Sequence, residues 1–482
     1  MSLTLKEYIT GVKNGSIDAN KTLLSYLDKA KTQDTYNAFV RIHDDYVNAH
    51  ENDFVSLPLA WAPIGMKDIF MTKWYETTCC SKILQWYIPG YSSSVFEKLE
   101  KAWWCMIGKT NMDEFAMGAS NETSCFGVVK NPHDDSRIAG GSSGWSAAAV
   151  AADLCLWAFA TDTGWSIRLP AALCGIVWVK ATYGRTSRYG VQAMASSLDH
   201  IWVLTKTVED AVILMSAVSG QDDHDATSIP FTAEEQQSRN DALTRTDLNN
   251  KKIAVPKQFF NEWMDPDVKQ TCLDTITYLE SQWATVDRID LPIVDYAVPT
   301  YYIITPAEVS TNMARFDGIR FGLQWNPEIF ESLHHYYAHI RAEWFGSEVK
   351  RRILTWAYVL SAWFYDAYYR KALAVRAQMR RDFAKIFDQY DAVVSPTSPE
   401  VAWKIGEKIN DPVKMYLADI YTSIANLVGN PAMSVPCGWI EKDGKKLPVG
   451  FQIMTWMRDE ATMFGIGRVV EGKDKKILTY NI

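Results

Sequence analysis

Short apolar runs alternate with helical stretches and with loops rich in Gly and Ser between about residues 58 and 210. The clearest apolar runs there are 62–69, 105–107 and 175–179, and strand-like runs return at 392–395, 432–436 and 449–454. A chain that alternates strands and helices buries its strands in a sheet that helices cover. The pattern therefore predicts an α/β fold with a central mixed β-sheet.

The N-terminal segment has a different pattern from this α/β region. Apolar residues recur at helical intervals over residues 1 to about 50, with charged residues between them. This spacing is typical of amphipathic helices, and we expect one apolar face to include Leu23, Leu24, Tyr26 and Leu27. The rest of the sequence shows no internal repeat and no clear domain break. We expect a helical segment over 1–55, a single large domain over 56–470, and a loosely held basic tail over 471–482.

Charge, cysteine spacing and hydropathy exclude several classes of protein. The net charge of −8 makes the chain a poor candidate for binding nucleic acid through its own surface. The 8 cysteines contain no CxxC pair, which favours reduced thiols and a cytoplasmic location. The longest apolar stretch, 147–160, is interrupted by Asp153 and is too short to span a bilayer, so we expect a buried core helix there and no membrane contact.

Three segments carry residues suited to catalysis. Residues 139–149 form a Gly- and Ser-rich turn before a helix of small residues, and residues 161–168 form a second such turn. Small residues before a helix let the backbone approach a substrate, and the exposed N–H groups bind developing negative charge. A third segment places Lys67 among apolar residues. Because burial of an unpaired ammonium is costly, such a lysine tends to be neutral, paired or catalytic.

Together these segments resemble the amidase signature family of Ser-Ser-Lys hydrolases. The family motif GGSSGGS…GTDTGGSIR matches residues 140–146 and 160–168, and the three candidate catalytic residues have the family spacing, 75 residues from Lys67 to Ser142 and 24 from Ser142 to Ser166. The resemblance implies that Ser166 is the nucleophile, that Ser142, usually on a cis peptide bond, is the bridging serine, and that Lys67 is the base. The implied oxyanion hole consists of the backbone N–H groups of Thr163, Gly164, Trp165 and Ser166.

Further motifs resemble one branch of that family, the A subunits of tRNA-dependent Asp/Glu amidotransferases. They lie at residues 109–118, 187–199, 348–353, 365–369, 404–408 and 415–419. The resemblance implies a glutaminase that hydrolyses glutamine to glutamate and ammonia, with Arg352 and Asp419 holding the α-carboxylate and α-amine of glutamine. It also implies no metal and no cofactor in this chain, and a heterotrimer with two further subunits, B and C. The ammonia then travels through a tunnel to a partner subunit that binds ATP, Mg²⁺ and the mischarged tRNA and converts Glu-tRNA(Gln) to Gln-tRNA(Gln), although the sequence leaves open Asp-tRNA(Asn) or both.

Two alternatives to this glutaminase hypothesis stay open. One is a stand-alone amidase of the same family that acts on another amide. The other is a catalytically inactive scaffold subunit, which the tryptophans of the chain make a serious alternative.

The tryptophan count of 19 is unusually close to the glycine count of 26. By the family resemblance, twelve tryptophans fall where the family has Gly: Trp61, Trp74, Trp103, Trp145, Trp165, Trp178, Trp202, Trp263, Trp283, Trp344, Trp356 and Trp363. Trp86 is a further candidate, whereas Ala160 is a departure of a different kind. Because so many Gly-to-Trp replacements should prevent folding, we hypothesise that the source reads the UGA codon as glycine and that the gene was translated with a table giving Trp.

Three other patterns predict structure rather than ligand binding. His335 and His339 lie on one helical face with Glu343, which is metal-like spacing on an otherwise ordinary polar helix. Residues 107–110 resemble the end of a phosphate loop, but Trp103 stands where such a loop needs Gly, and bulky residues follow it. We therefore expect a strand there rather than a nucleotide site. The aromatic run over 356–369 predicts a packed helical face.

Overall fold

The structure is a computed structural model that describes residues 3–48, 58–359, 365–409 and 411–473. Thirteen strands occur within these ranges: β1 Phe39–Ile42, β2 Pro63–Lys67, β3 Cys105–Thr110, β4 Lys130–Asn131, β5 Asp134–Ile138, β6 Trp157–Asp162, β7 Val177–Lys180, β8 His200–Thr205, β9 Lys252–Pro256, β10 Thr285–Ile289, β11 Ala392–Pro396, β12 Ala432–Lys442 and β13 Lys445–Thr455.

Sixteen α-helices occur within the same ranges. They are α1 Leu5–Lys13, α2 Ala19–Thr32, α3 Asp44–Asn48, α4 Ser94–Lys101, α5 Gly144–Ala151, α6 Arg168–Cys174, α7 Val208–Val218, α8 Ala233–Ala242, α9 Pro266–Ser281, α10 Ala297–Met313, α11 Leu333–Trp344, α12 Ser347–Val359, α13 Arg370–Phe387, α14 Pro412–Leu417, α15 Ser423–Val428 and α16 Glu460–Gly472. A π-helical turn, Tyr365–Tyr369, precedes α13.

Eleven of the described strands form one mixed sheet, in the order β1-β3-β2-β6-β8-β7-β12-β13-β11-β9-β10. The strands β3, β2 and β6 run parallel to one another, and β6 pairs antiparallel with β8. At the other end of this order, β9 pairs in parallel with both β11 and β10. Every residue of β2, β3, β6, β7, β8 and β11 is buried. Strands buried on both faces need cover on both sides, so the predicted α/β fold with a central mixed sheet is confirmed.

The N-terminal prediction is correct for the helices but wrong for one side chain. Leu23, Tyr26 and Leu27 are buried in α2, whereas Leu24 is 42% exposed. At about 100° per residue, Tyr26, Leu23 and Leu27 span an arc of about 100° on one side of the helix, and Leu24 lies about 60° beyond the edge of that arc. The same region also contains strand β1, which pairs antiparallel with β3.

The predicted core helix over 147–160 is shorter than expected. Helix α5 ends at Ala151, and residues from Trp157 onward belong to β6. Asp153 ends the helix because its φ of +54° is incompatible with a continuing α-helix. Its carboxylate accepts hydrogen bonds from Lys29 and Lys206, at 2.6 and 2.5 Å, which fixes that turn against α2.

Two further predictions fall partly outside the described residues. Of the predicted tail over 471–482, only residues 471–473 are described, and α16 continues through Gly472. Trp363 and Phe364 of the aromatic run also lie outside the described ranges. Within those ranges, no helix has both the length and the apolar character needed to cross a bilayer.

Candidate active site

Lys67 ends strand β2 in the interior of the molecule. Its side chain is fully buried, and its Nζ donates hydrogen bonds to three hydroxyls, at 2.8 Å to Ser142 Oγ, 2.7 Å to Ser143 Oγ and 3.1 Å to Thr161 Oγ1. In the described part of the chain no carboxylate lies within 4.0 Å of this amine. The predicted pair of Lys67 and Ser142 is therefore in direct contact, across 75 residues of sequence.

The surroundings of Lys67 favour its neutral form. Burial lowers the pKa of Lys67 to about 7, and the negative charges of Asp113 and Asp162 oppose that shift only in part. Removing an ammonium from water disfavours the charged form, and hydroxyl partners compensate less than a carboxylate does. The amine is consequently close to half-protonated near neutral pH, as proton transfer to and from it requires.

The first Ser-rich turn places Ser142 beside the lysine. The Gly141–Ser142 peptide bond is cis, and α5 begins two residues later at Gly144. A Cβ on Gly141 would lie 2.0 Å from Asp113 Oδ2, so this position needs glycine for close approach. The Asp113 carboxylate accepts hydrogen bonds from Asn121 N–H and Thr123 Oγ1, which holds the loop on which the turn rests.

The second Ser-rich turn follows β6 and presents free donors. Among the described residues, the backbone N–H groups of Thr163, Gly164, Trp165 and Ser166 donate to no protein acceptor. The carbonyl of Ser166 accepts a hydrogen bond of 2.9 Å from Ser143 N–H, which joins the second turn to the first. Unpartnered N–H groups in a buried turn form a ready site for an anion.

A buried ion pair fixes the shape of this second turn. Arg168 Nη2 donates to Asp162 Oδ1 at 2.9 Å and to the Gly164 carbonyl at 2.7 Å, and both charged side chains are fully buried. The C=O and N–H of a trans peptide point in opposite directions. Because Arg168 draws the Gly164 carbonyl to its side, the N–H of Trp165 points away from that ion pair.

Arg352 and Asp419, predicted to bind one substrate, both have unused polar atoms. Arg352 lies on α12 and donates from Nε to Glu348 Oε1 at 2.8 Å, while its buried Nη1 has no hydrogen-bond partner among the described residues. Asp419 is fully buried and accepts a hydrogen bond of 3.0 Å at Oδ2 from Tyr302, while its Oδ1 likewise has no described partner. A cation and an anion that each retain an unsatisfied atom fit a ligand with both charges.

A cavity of about 250 Å³ adjoins Arg352 and Tyr302. Tyr416 and Trp165 also line it, whereas Lys67, Ser142 and Ser166 are absent from its described wall. The Trp165 indole stacks on Tyr302 with ring centroids 5.8 Å apart and donates from Nε1 to the Gly118 carbonyl at 3.0 Å. The turn that carries Ser166 therefore contributes the Trp165 side chain to the cavity wall.

Sequence reasoning missed several polar residues of the site. Ser143 and Thr161 bind Lys67 and lie inside the two motifs already singled out, so adjacency in the motif was the available signal. Tyr302 and Glu348 contact Asp419 and Arg352, respectively. Tyr302 comes from the otherwise unremarkable helix α10, and only the fold brings it there.

The weaker sequence patterns have structural partners. His335 pairs with Glu331 at 3.3 Å, and the His339 ring stacks on Trp325 with centroids 4.7 Å apart. No group of three or more His, Cys, Asp or Glu residues suited to a metal ion exists in the described ranges. Residues 107–110 lie in β3, as predicted, and the buried Lys109 donates to the Phe70 carbonyl at 2.5 Å.

Comparison with known proteins gives matches over almost the whole chain. The family model described as Amidase matches residues 21–464. The A subunit of glutamyl-tRNA(Gln) amidotransferase in Thermoanaerobacter pseudethanolicus is 44% identical over 98% of this chain and 97% of its own, and its namesake in Thermodesulfovibrio yellowstonii is 49% identical over 86% and 83%. The crystal structure of the protein of that name from Thermotoga maritima superposes with a TM-score of 0.81, at 36% identity over 98% of this chain and 95% of that one.

Proposed function

Since the chain belongs to the amidase family, we propose that it is the glutaminase subunit of a tRNA-dependent amidotransferase. It hydrolyses glutamine to glutamate and ammonia, and the ammonia passes to a partner subunit that uses ATP and Mg²⁺ to convert Glu-tRNA(Gln) to Gln-tRNA(Gln). The relatives that bear the name of such a subunit support the assignment at 44% and 49% identity. In this proposal the chain itself needs no metal or cofactor and leaves tRNA binding to its B and C partners.

The observation that carries the proposal is a pair of unsatisfied polar groups, one on Arg352 in the cavity wall and one on Asp419, which accepts a hydrogen bond from the wall residue Tyr302. Free glutamine has an α-carboxylate and an α-ammonium on one carbon, and Arg352 Nη1 with Asp419 Oδ1 offers one partner for each. Burial raises the pKa of Asp419 well above its usual range, with the Tyr302 hydrogen bond and the Arg352 charge opposing the shift. An incoming ammonium restores the ionised carboxylate because an opposite charge stabilises it. A neutral amide substrate without these two groups would leave Arg352 Nη1 and Asp419 Oδ1 without partners.

The proposed chemistry assigns one step to each residue of the triad. Neutral Lys67 accepts the proton of Ser142, and Ser142 accepts that of Ser166 as Ser166 Oγ attacks the side-chain amide carbon of glutamine. The free N–H groups of the second turn stabilise the resulting oxyanion; one such donor is worth roughly 10²–10³ in rate. The proton returns through Ser142 to the amide nitrogen, the C–N bond breaks and ammonia leaves. Water then attacks the ester on Ser166, which releases glutamate and the free hydroxyl.

A substitution of the nucleophile tests this assignment in the assembled complex. Ser166→Ala should abolish glutamine-dependent amidation of Glu-tRNA(Gln), while ammonium salts supplied as the nitrogen source should still support it, because the partner's site is untouched. Ser281→Ala, at the exposed end of α9, serves as the matched control and should behave as wild type. Glutamine hydrolysis that survives Ser166→Ala would remove the nucleophile assignment.

The inactive scaffold remains the second candidate because of one observation. Trp165, the residue before the proposed nucleophile, lines the cavity, whereas Ser166 does not, and its indole is only 1% exposed. If tryptophan is present there in the native protein, the complex should use ammonium and not glutamine, even with Ser166 intact. Glutaminase activity of the native complex excludes this alternative.

A further inference from the structure

A second cavity, of about 210 Å³, lies on the Thr163 side of the second turn. Its wall includes Thr161, Thr163 and Asp199, together with Met194 and Arg188. Asp199 belongs to the segment 187–199 whose resemblance pointed to the amidotransferase branch, and the proposed mechanism gives it no role. Its carboxylate is almost entirely buried, at 9% exposure.

The hydrogen bonds of Asp199 hold two loops in place. Its carboxylate accepts N–H donors from Met194 at 2.9 Å and from Ala195 at 3.1 Å, which ties it to the loop before β8. Oδ1 also accepts the Thr163 hydroxyl at 2.7 Å. This last bond joins the loop before β8 to the first residue of the turn with the four free N–H groups.

The turn is consequently held from different sides. Arg168 fixes the Gly164 carbonyl at 2.7 Å, and Asp199 fixes the Thr163 side chain. Asn426 Nδ2 holds the peptide whose N–H belongs to Thr163 at its carbonyl end, by a hydrogen bond of 3.0 Å to the Asp162 carbonyl, and the Asp199 bond restrains the Thr163 side of the same peptide. A donor displaced by about 1 Å loses much of its value for a developing charge, of the order of 100-fold in rate.

We propose that Asp199 is a positioning residue that, through the Thr163 hydroxyl, aims the first N–H group of the oxyanion-binding turn. The inference rests on the proposed function of that turn. Asp199 touches no reacting atom, so it should act on the chemical step and not on the binding of glutamine. Thr163 is the residue that carries its effect, since its hydroxyl donates directly to the Asp199 carboxylate.

The test compares two substitutions of Thr163 in the assembled complex. Thr163→Val keeps the backbone N–H and the volume but removes the hydroxyl, and should lower kcat for glutamine roughly 10- to 100-fold with KM within about twofold. Thr163→Ser keeps the hydroxyl and should retain kcat within about threefold of wild type. Asp199→Asn should resemble Thr163→Val. Ammonium-dependent amidation should be unchanged in all three.

A substrate-independent assay separates this inference from the proposed function. Labelling of Ser166 by a fluorophosphonate needs the nucleophile and the N–H groups but no glutamine, and Thr163→Val should slow it as it slows kcat. Slow labelling of Thr163→Val beside normal labelling of Thr163→Ser would support the inference even if glutamine is not the substrate. Equal kcat and labelling rates in wild type and Thr163→Val would overturn it, as would an equal loss in Thr163→Ser.

A different observation carries a second inference, about five tryptophans. Trp61, Trp74, Trp86, Trp103 and Trp283 have φ values between +56° and +73°. Bulky residues are genuine outliers in this left-handed region, which glycine adopts without steric cost. Sixteen non-glycine residues of the described chain have positive φ, so tryptophan supplies five of sixteen although it is only 19 of 482 residues.

The high exposure of three of these side chains also favours glycine at their positions. Trp74, Trp86 and Trp283 are 71–74% exposed, so no burial of the indole compensates for the strained backbone. Four of the five positions correspond to Gly by the family resemblance, and the fifth is Trp86. We infer that the native protein carries glycine at all five positions, which is the outcome expected if the source reads UGA as glycine.

Peptide mass mapping of the protein purified from its own source tests this second inference. Peptides containing positions 61, 74, 86, 103 and 283 should have the mass of glycine, whereas those containing Trp104 and Trp157 should have the mass of tryptophan. These two controls are buried and have no left-handed φ. Tryptophan masses at the five positions would overturn the inference, and so would UGG codons there.

Discussion

We propose that access to the proposed nucleophile depends on Trp165. Its indole is packed between Tyr301, Tyr302 and the Gly118 carbonyl, directly before Ser166 in the chain. Because Trp165 lines the cavity of about 250 Å³ and Ser166 does not, we expect removal of the indole to extend the cavity toward Ser166. The local backbone needs no side chain there, because Arg168 holds the preceding carbonyl.

Trp165→Gly should therefore increase glutamine hydrolysis by a chain that carries tryptophan at this position. We expect at least a ~100-fold rise in kcat/KM, because a substrate that cannot reach the nucleophile reacts only through rare open states. Trp439→Gly, a substitution in the part of β12 that pairs with β13 and not with β7, is the control for a general loosening of the fold. A rate unchanged by Trp165→Gly would mean that the indole does not block the site.

The lowered pKa of Lys67 predicts how glutamine hydrolysis depends on pH. Its pKa, lowered to about 7 by burial, means that the amine is mostly charged below pH 6 and mostly neutral above pH 8. The value of kcat/KM for glutamine should consequently fall about tenfold per pH unit below 7 and be level from about pH 8. A lysine with its ordinary pKa would instead give a rate that still rises at about pH 9.

Lys67→Arg is the matched substitution for this pH dependence. A guanidinium stays protonated at all these pH values, so the variant should lose at least about 10³ in kcat at every pH and show no inflection near 7. Activity in Lys67→Arg with the wild-type pH profile would assign the inflection to another group.

Helix α12 is the element that brings the proposed substrate clamp to the cavity. Its first turn contains Glu348, which holds Arg352 at 2.8 Å, and the N–H of Gly346 just before it donates to Glu114 Oε2 at 2.8 Å. Burial raises the pKa of Glu114 to about 7, with hydrogen bonds from Ser81 and Gly346 opposing the shift. The start of the helix is thus anchored to the core, and Arg352 is fixed in turn.

Arg352→Ala should raise KM for glutamine about 100-fold and change kcat less than about fivefold, because the lost charge-assisted bond serves binding in both ground and transition states. Arg370→Ala, which replaces an exposed arginine that pairs with Asp366 at 3.1 Å, is the control.

Asp419→Asn should reduce the preference for glutamine over an analogue without the α-amino group. If Asp419→Asn kept the wild-type preference for glutamine over this analogue, the assignment of Asp419 to the α-amine would be contradicted.

Elements differ in how well the sequence predicted them. The strands around Lys67 and the two Ser-rich turns were predictable because their motifs are local in the sequence, and the motif spacing selected Lys67, Ser142 and Ser166 as candidates. The end of α5 was missed because the apolar run over 147–160 hides a left-handed Asp153 whose ion pairs come from other parts of the chain. The roles of Tyr302 and Asp199 depend on helix and loop packing, and no periodicity in sequence encodes such contacts.

At the scale of the whole molecule, the sheet explains why distant residues form one site. Lys67 and Thr161 lie on β2 and β6, which pair in parallel, so the C-terminal ends of these two strands lie side by side. Two turns lie at these strand ends, one before α5 and the other after β6, and they bring Ser142 and Ser166 to the same place. Parallel strands deliver their C-terminal ends together, and the proposed hydrolysis depends on that arrangement.

The most direct test of the proposed mechanism is to identify the residue that carries the acyl group during turnover. The native complex is mixed with glutamine, quenched in acid within milliseconds, digested and mapped by mass spectrometry. We predict a glutamyl ester on the peptide that contains Ser166, no ester in Ser166→Ala, and loss of the ester from wild type when glutamine is exhausted. An ester on Ser142 or Ser143, or glutamine hydrolysis at the wild-type rate in Ser166→Ala, would contradict the mechanism.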